Sequence, residues 1–63
     1  MKQSLDDAMH GAMLHSVQFP DLEVVVFDKP HKKAMFTASP YLQKERIEGG
    51  WNMVATFKGG KQV

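Results

Sequence analysis

Hydrophobic residues at spacings of three and four predict an amphipathic helix in the first third of the chain. These residues are Leu5, Ala8, Met9, Ala12, Met13 and Val17. On a helix they form one apolar stripe that can face a core. Pro20 disfavours helical geometry at Phe19, so the helix should end near Val17 or Gln18.

The start of this helix is predicted from Ser4, whose hydroxyl can accept from the N–H of Asp7 as a cap. Asp6 and Asp7 suit the first turn, where the helix dipole favours negative charge. Gly11 lies off the apolar stripe. It is interpreted as a tolerated surface glycine that costs about 1 kcal/mol relative to alanine, with close approach by a neighbour as the alternative.

Leu22–Phe27 is an almost unbroken apolar run and predicts a strand that is covered on both faces. Asp28 to His31 reads as a turn, with Pro30 preset for a turn position. A second strand, from Lys33 to Ala38, should pair back on the first as a hairpin.

Ser39 followed by Pro40 is typical of a helix start, and Gly49-Gly50 is typical of a helix stop. A short second helix is therefore predicted over Pro40–Glu48. Its amphipathicity is weak, because Leu42 and Ile47 are five positions apart and point in different directions. A loop at residues 40–48 stays open as the alternative.

The last strand has the period-two alternation of a strand with one buried face. Trp51, Met53, Ala55 and Phe57 alternate with Asn52, Val54, Thr56 and Lys58. Residues 59–63 contain two glycines and are predicted to be a flexible C-terminal tail. The folded part is then a single domain over residues 1–58.

These elements predict an α+β fold with an N-terminal helix and a three-stranded sheet. A right-handed crossover through the second helix would place the third strand beside the first, in the order 2-1-3. That order puts the most apolar strand in the centre. Both helices are expected on one face, which carries the alternating set Trp51, Met53, Ala55 and Phe57.

The other face of the sheet is expected to be apolar at its centre and polar at its rim, as association surfaces are. Its predicted interface residues are Val25, Phe27, Met35 and Val54. The sequence therefore predicts a small interaction protein, a regulator or adaptor. We expect it to form a homodimer through this sheet face or a strand edge, with another protein as the alternative partner.

The chain has 63 residues and no cysteine, which excludes disulfides, thiolate metal sites and cysteine nucleophiles. A domain this small has a limited core and often gains stability from a partner. No apolar segment follows the first lysine as in a signal peptide, and no apolar run approaches the roughly 20 residues that span a bilayer. A cytoplasmic protein without membrane association is expected.

Charge is divided unevenly along the chain, although the net charge is only +1. Residues 1–28 carry one cation and five carboxylates, whereas residues 29–63 carry seven cations and two carboxylates. The alternative function is therefore nucleic-acid binding, led by the basic turn after the first strand. The residues expected to contact phosphates are Lys29, Lys32, Lys33, Arg46 and Lys58.

No motif predicts catalysis, a metal or a cofactor. His10 and His15 are five apart on the helix and diverge, whereas metal pairs on one helix sit three or four apart. His31 has no ligand at a suitable spacing. His15, Ser16 and Asp21 lack the framework of a catalytic triad. A non-enzymatic protein without catalytic residues, metal ligands or cofactor is predicted.

Overall fold

A computed structural model describes residues 2–63, with two helices and one four-stranded antiparallel sheet. The elements are α1 (Lys2–Gln18), β1 (Val24–Asp28), β2 (Met35–Thr37), α2 (Pro40–Glu48), β3 (Asn52–Lys58) and β4 (Lys61–Gln62). The sheet order is β2-β1-β3-β4. The predicted α+β class and the central position of β1 between β2 and β3 are confirmed.

Helix α1 packs on one face of the sheet. Its buried residues Ala8 and Ala12 belong to a core cluster with Val24, Val26 and Phe57 of the sheet. The helix begins at Lys2, so Ser4 lies inside it rather than capping it. Lysine and glutamine are good helix formers, which allows the helix to start before Ser4.

The stripe of α1 that faces the sheet differs from the predicted one at its C-terminal end. Ser16 is fully buried, whereas Val17 is 58% exposed. Ser16 lies four residues after the fully buried Ala12, so both fall on one helix face. The hydrogen bonds of its hydroxyl allow this polar residue to replace a hydrophobic one.

Gly11 is a close-packing position rather than a tolerated surface glycine. A Cβ atom on Gly11 would lie 2.8 Å from Cε2 of Phe36, closer than such atoms approach in folded proteins. The missing side chain therefore allows β2 and α1 to approach each other. The preferred interpretation from sequence was wrong, and its alternative, close approach by a neighbour, is the one that the structure shows.

The central strand β1 is buried on both sides, as its apolar run predicts. Val24 and Val26 face α1, and both are fully buried. Side chains alternate along a strand, so Val25 and Phe27 point to the opposite face. They are 5% and 0% exposed, and they lie outside the α1 cluster. A second layer therefore covers that face.

Helix α2 provides this second layer. The connection from β2 to β3 has to cross β1, and hydrogen bonds fix α2 near both ends of β1. Nε2 of Gln43 donates to the carbonyl of Glu23, at 3.1 Å, and Nζ of Lys29 donates to the carbonyl of Gly49, at 2.8 Å. The position of α2 thus differs from the expected one, in which both helices share a face.

Residues 40–48 are helical, which decides between the two alternatives left by the sequence. Ser39 caps the helix by accepting from the N–H of Leu42, at 3.4 Å, and Pro40 occupies the first turn. The helix ends at Glu48 with Gly49 as its C-cap, as predicted.

A bulge interrupts the alternation of β3. Val26 pairs with Ala55, but Phe27 pairs with Met53, so Val54 is the extra residue. An extra residue moves all preceding side chains to the other face. Met53 is therefore 57% exposed instead of buried beneath α1. Trp51, expected on the same buried face, is half-buried and lies against Arg46 of α2.

Residues 59–63, expected as a flexible tail, form a turn and the short strand β4. Gly59 and Gly60 have φ angles of 61° and 84°, which suit a two-residue hairpin turn. Lys61 and Gln62 pair with Lys58 and Phe57 of β3. The sheet therefore gains a fourth strand at the end of β3.

Candidate interaction site

The four residues predicted to form an interface do not form an open surface. Val25 and Phe27 are buried within the chain beneath the α2 layer, and Met35 is half-buried. Only Val54 is exposed, at 39%. The prediction assumed that both helices lie on the other face. The position of α2 closes the centre of the face and leaves the strand edges accessible.

The first half of β3 has an open edge. β1 pairs with β3 from Phe57 back to Asn52 on one side. On the other side β4 pairs only with Phe57 and Lys58, and the N–H of Val63 donates to the carbonyl of Thr56, at 2.8 Å. Among residues 2–63, no strand pairs with the outer side of Asn52–Ala55. We call this segment the open edge.

The open edge is uncharged, and three of its four residues are apolar. Its sequence is Asn-Met-Val-Ala, and the side chains of Met53 and Val54 are 57% and 39% exposed. Proteins commonly protect edge strands with lysine, proline or a bulge. Here the bulge at Val54 is the only one of these devices within the segment. An unpaired backbone beside exposed apolar side chains can accept an added strand.

The opposite edge of the sheet is better protected. Strand β2 has three residues, and short edge strands offer little surface for pairing. The carbonyl of its last residue, Thr37, accepts from Nε2 of Gln43, at 3.2 Å. Lys32 and Lys33 lie shortly before the strand and are exposed. Added pairing is therefore favoured at β3 rather than at β2.

The signal for this edge in the sequence was the Gly59-Gly60 pair. Two glycines between short segments that can form strands are typical of a tight hairpin. In the structure this hairpin pairs β4 only with Phe57 and Lys58. The N-terminal half of β3 therefore extends beyond its partner. The sequence interpretation treated the glycines as a tail and missed Asn52 and Met53.

The residues expected to bind nucleic acid are divided between the two ends of the sheet. Lys29, Lys32 and Lys33 belong to the turn after Asp28, which pairs with Asn52 at one end of β3. Lys58 lies at the other end, beyond the pair of Val24 and Phe57. β1 spans about 17 Å at 3.4 Å per residue. Lys58 therefore does not belong to the surface formed by the turn.

Arg46, the fifth of these residues, is half-buried and packs against Trp51. Its guanidinium carbon lies 5.4 Å from the centre of the Trp51 ring, as in a cation–π contact. Its Nε atom is buried without a hydrogen-bond partner among the described residues. This arrangement indicates a structural role between α2 and the start of β3.

The three histidines are separated in the fold. His10 and His31 are exposed, whereas the ring of His15 lies 5.0 Å from that of Phe19 and 5.8 Å from that of Phe36. Over residues 2–63, no three histidine or carboxylate side chains cluster to hold a metal ion. In the same part of the chain, neither helix has the length and apolar character needed to span a bilayer.

Comparison of the chain with protein-family models, with curated proteins and with solved structures found no match.

Proposed function

We propose that this chain is a small non-enzymatic interaction module that self-associates through the open edge of β3. The observation that supports the proposal is the unpaired, uncharged segment Asn52–Ala55, beside which Met53 and Val54 are exposed. This refines the expected association through a sheet face or edge. Because α2 covers the face, we assign the association to the edge.

A second copy of the chain is a suitable partner for this edge. Two identical strands can pair antiparallel about a two-fold axis, and each then uses the same surface. With the axis between Met53 and Val54, the four residues of each open edge face one another. None of these residues is charged, so the pairing brings no like charges together. The four strands of each copy would join into one continuous sheet.

The dimer should be weak. Stable interfaces bury more than about 1,000 Å², and pairing of two four-residue edges covers less than that. Burial of Met53 and Val54 of both copies adds apolar area at the centre of the pairing. We therefore expect exchange between monomer and dimer at about micromolar to millimolar concentrations, as in transient interactions.

Weak, reversible association through this edge suits a regulator or adaptor better than a catalyst. A partner protein with an extended segment could compete for the same edge by strand addition. We keep the cytoplasmic location expected from the cysteine-free sequence as part of this proposal.

The test is sedimentation equilibrium over a concentration series, with Val54→Lys as the disrupting variant. A lysine at Val54 would place two cations at the centre of the pairing, so the dimer should dissociate. Val54 is exposed in the single chain, so circular dichroism should show an unchanged fold. The control is Ile47→Lys, because Ile47 is 51% exposed on α2 and lies outside the edge.

The expected result is a concentration-dependent dimer for the wild type and for Ile47→Lys, and a monomer for Val54→Lys. A wild-type chain that stays monomeric at millimolar concentration would overturn the proposal. So would equal weakening by both lysine substitutions, because an edge interface predicts a difference between the two positions.

A further inference from the structure

A cleft lies between the start of α1 and the turn that joins β1 to β2. Its volume is about 610 Å³, within the range of small-molecule sites. Four side chains with basic character contribute to its wall. They come from a single stretch of chain, and the basic residues among them are Lys29, His31, Lys32 and Lys33.

The charge of the cleft is strongly one-sided. Three lysines and one histidine line it, against one carboxylate, that of Asp28. The remaining polar lining includes Ser4 and Asn52, whose side chains can also donate hydrogen bonds. Concave surfaces lined by charges of one sign concentrate the electric field. The cleft therefore favours an anion.

The basic turn is held in place by its own hydrogen bonds. The N–H of Lys32 donates to the carbonyl of Lys29, at 3.0 Å, and Oδ1 of Asp28 accepts from the N–H of Lys29, at 3.0 Å. Nζ of Lys29 is anchored on the carbonyl of Gly49. An ordered backbone reduces the entropy lost when a ligand binds. Lys29 keeps two further ammonium hydrogens for an anion.

We propose that this cleft binds a compact, phosphate-bearing small molecule. Lysine ammonium groups are common phosphate ligands, and three lysines line this cleft. At about 610 Å³ the cleft has room for a small molecule that carries one or two phosphate groups. Nucleic acid is disfavoured because Lys58 lies at the far end of the sheet and Arg46 packs against Trp51. The cations therefore do not form an extended track for a phosphate backbone.

Titration of the ¹⁵N-labelled chain with inorganic pyrophosphate, at constant ionic strength, tests the proposal by NMR. We expect saturable amide shifts confined to residues 28–33, the start of α1 and Asn52. Replacing Lys32 or Lys33 with glutamine should weaken binding about threefold each, the range for one exposed charge pair. Asp28→Asn should strengthen it by a similar factor, since it removes the carboxylate and keeps the acceptor oxygen.

Lys58→Gln is the matched control, because it makes the same charge change at the far end of the sheet. Its affinity for pyrophosphate should equal that of the wild type. Shifts that do not saturate, or equal weakening by Lys58→Gln and Lys32→Gln, would overturn the proposal. A mixed-sequence oligonucleotide that binds more tightly than pyrophosphate, with weakening by Lys58→Gln, would replace it with a nucleic-acid surface.

Discussion

The hydroxyl of Ser16 accepts a hydrogen bond from the backbone N–H of Gly60, at 2.9 Å. The two residues are 44 positions apart, and the bond joins α1 to the turn between β3 and β4. The hydroxyl in turn donates to the carbonyl of Met13, at 2.7 Å. Because Ser16 is fully buried, both its donor and its acceptor capacity are used without water. This contact helps to hold the hairpin of β3 and β4. The open edge ends where this hairpin begins to pair with β3.

Ser16→Ala should destabilise the chain by about 1–2 kcal/mol, because the N–H of Gly60 loses its partner in a partly buried position. Urea unfolding followed by circular dichroism measures this loss. Ser4→Ala is the matched control, since it makes the same change in the same helix. It should alter the free energy of unfolding by less than about 0.5 kcal/mol. Equal effects at the two serines would contradict a specific role for Ser16.

Gly60→Ala should be more harmful than Gly59→Ala. Both glycines have positive φ angles, and such backbone costs about 1–2 kcal/mol for other residues. Only at Gly60 would the added Cβ also meet a neighbour, Cγ2 of Val17 at 2.6 Å, whereas Gly59 has open space. The free energies of unfolding should therefore differ between the two variants.

A double variant separates the two contributions at Gly60. Val17→Ala removes the methyl group that the new Cβ would meet, and Val17 is itself 58% exposed. In the Val17→Ala background, the cost of Gly60→Ala should fall to that of Gly59→Ala. If the cost does not change, the clash with Val17 is not its cause.

Gly11→Ala should destabilise the chain by about 1 kcal/mol. Alanine gains about 1 kcal/mol in helix propensity, but its Cβ would lie 2.8 Å from the ring of Phe36. Overpacking of this kind costs about 1–3 kcal/mol. In a Phe36→Leu background the clash is relieved, so Gly11→Ala should become stabilising in urea unfolding. A stabilising effect in the wild-type chain would show that the Phe36 ring moves aside freely.

Local patterns were sufficient to predict most elements of this fold. The apolar run around Val24–Phe27 placed β1 in the centre, and Ser39 with Pro40 and the following glycines bounded α2. Each of these signals depends on neighbouring residues alone. The α+β class and the order of the first three strands followed from them.

The candidate site depended on features that no local pattern contains. The bulge at Val54 arises from the pairing of two strands, and it reversed the faces of Met53 and Trp51. Both helices were placed on the sheet face to which the alternation of β3 assigned Trp51 and Met53. Because α2 lies on the opposite face, the interface residues predicted there, such as Val25 and Phe27, are covered. Gly11 looked like an exposed glycine because its neighbour Phe36 lies 25 positions away in the sequence.

The two aromatic residues associated with the second face should differ in their effect on stability. Phe27 is fully buried, so Phe27→Ala should cost about 3–5 kcal/mol. A domain of this size has a total stability of similar magnitude, so this variant should be largely unfolded by circular dichroism. Trp51 was expected on the buried face of the last strand, whereas Phe27 was expected on the association face. Trp51 is only half-buried and contacts the exposed end of α2, through Arg46. Trp51→Ala should therefore leave a folded chain with a lower midpoint in urea. An unfolded Trp51→Ala variant beside a folded Phe27→Ala variant would show that the first strand contributes less to the core than its burial indicates.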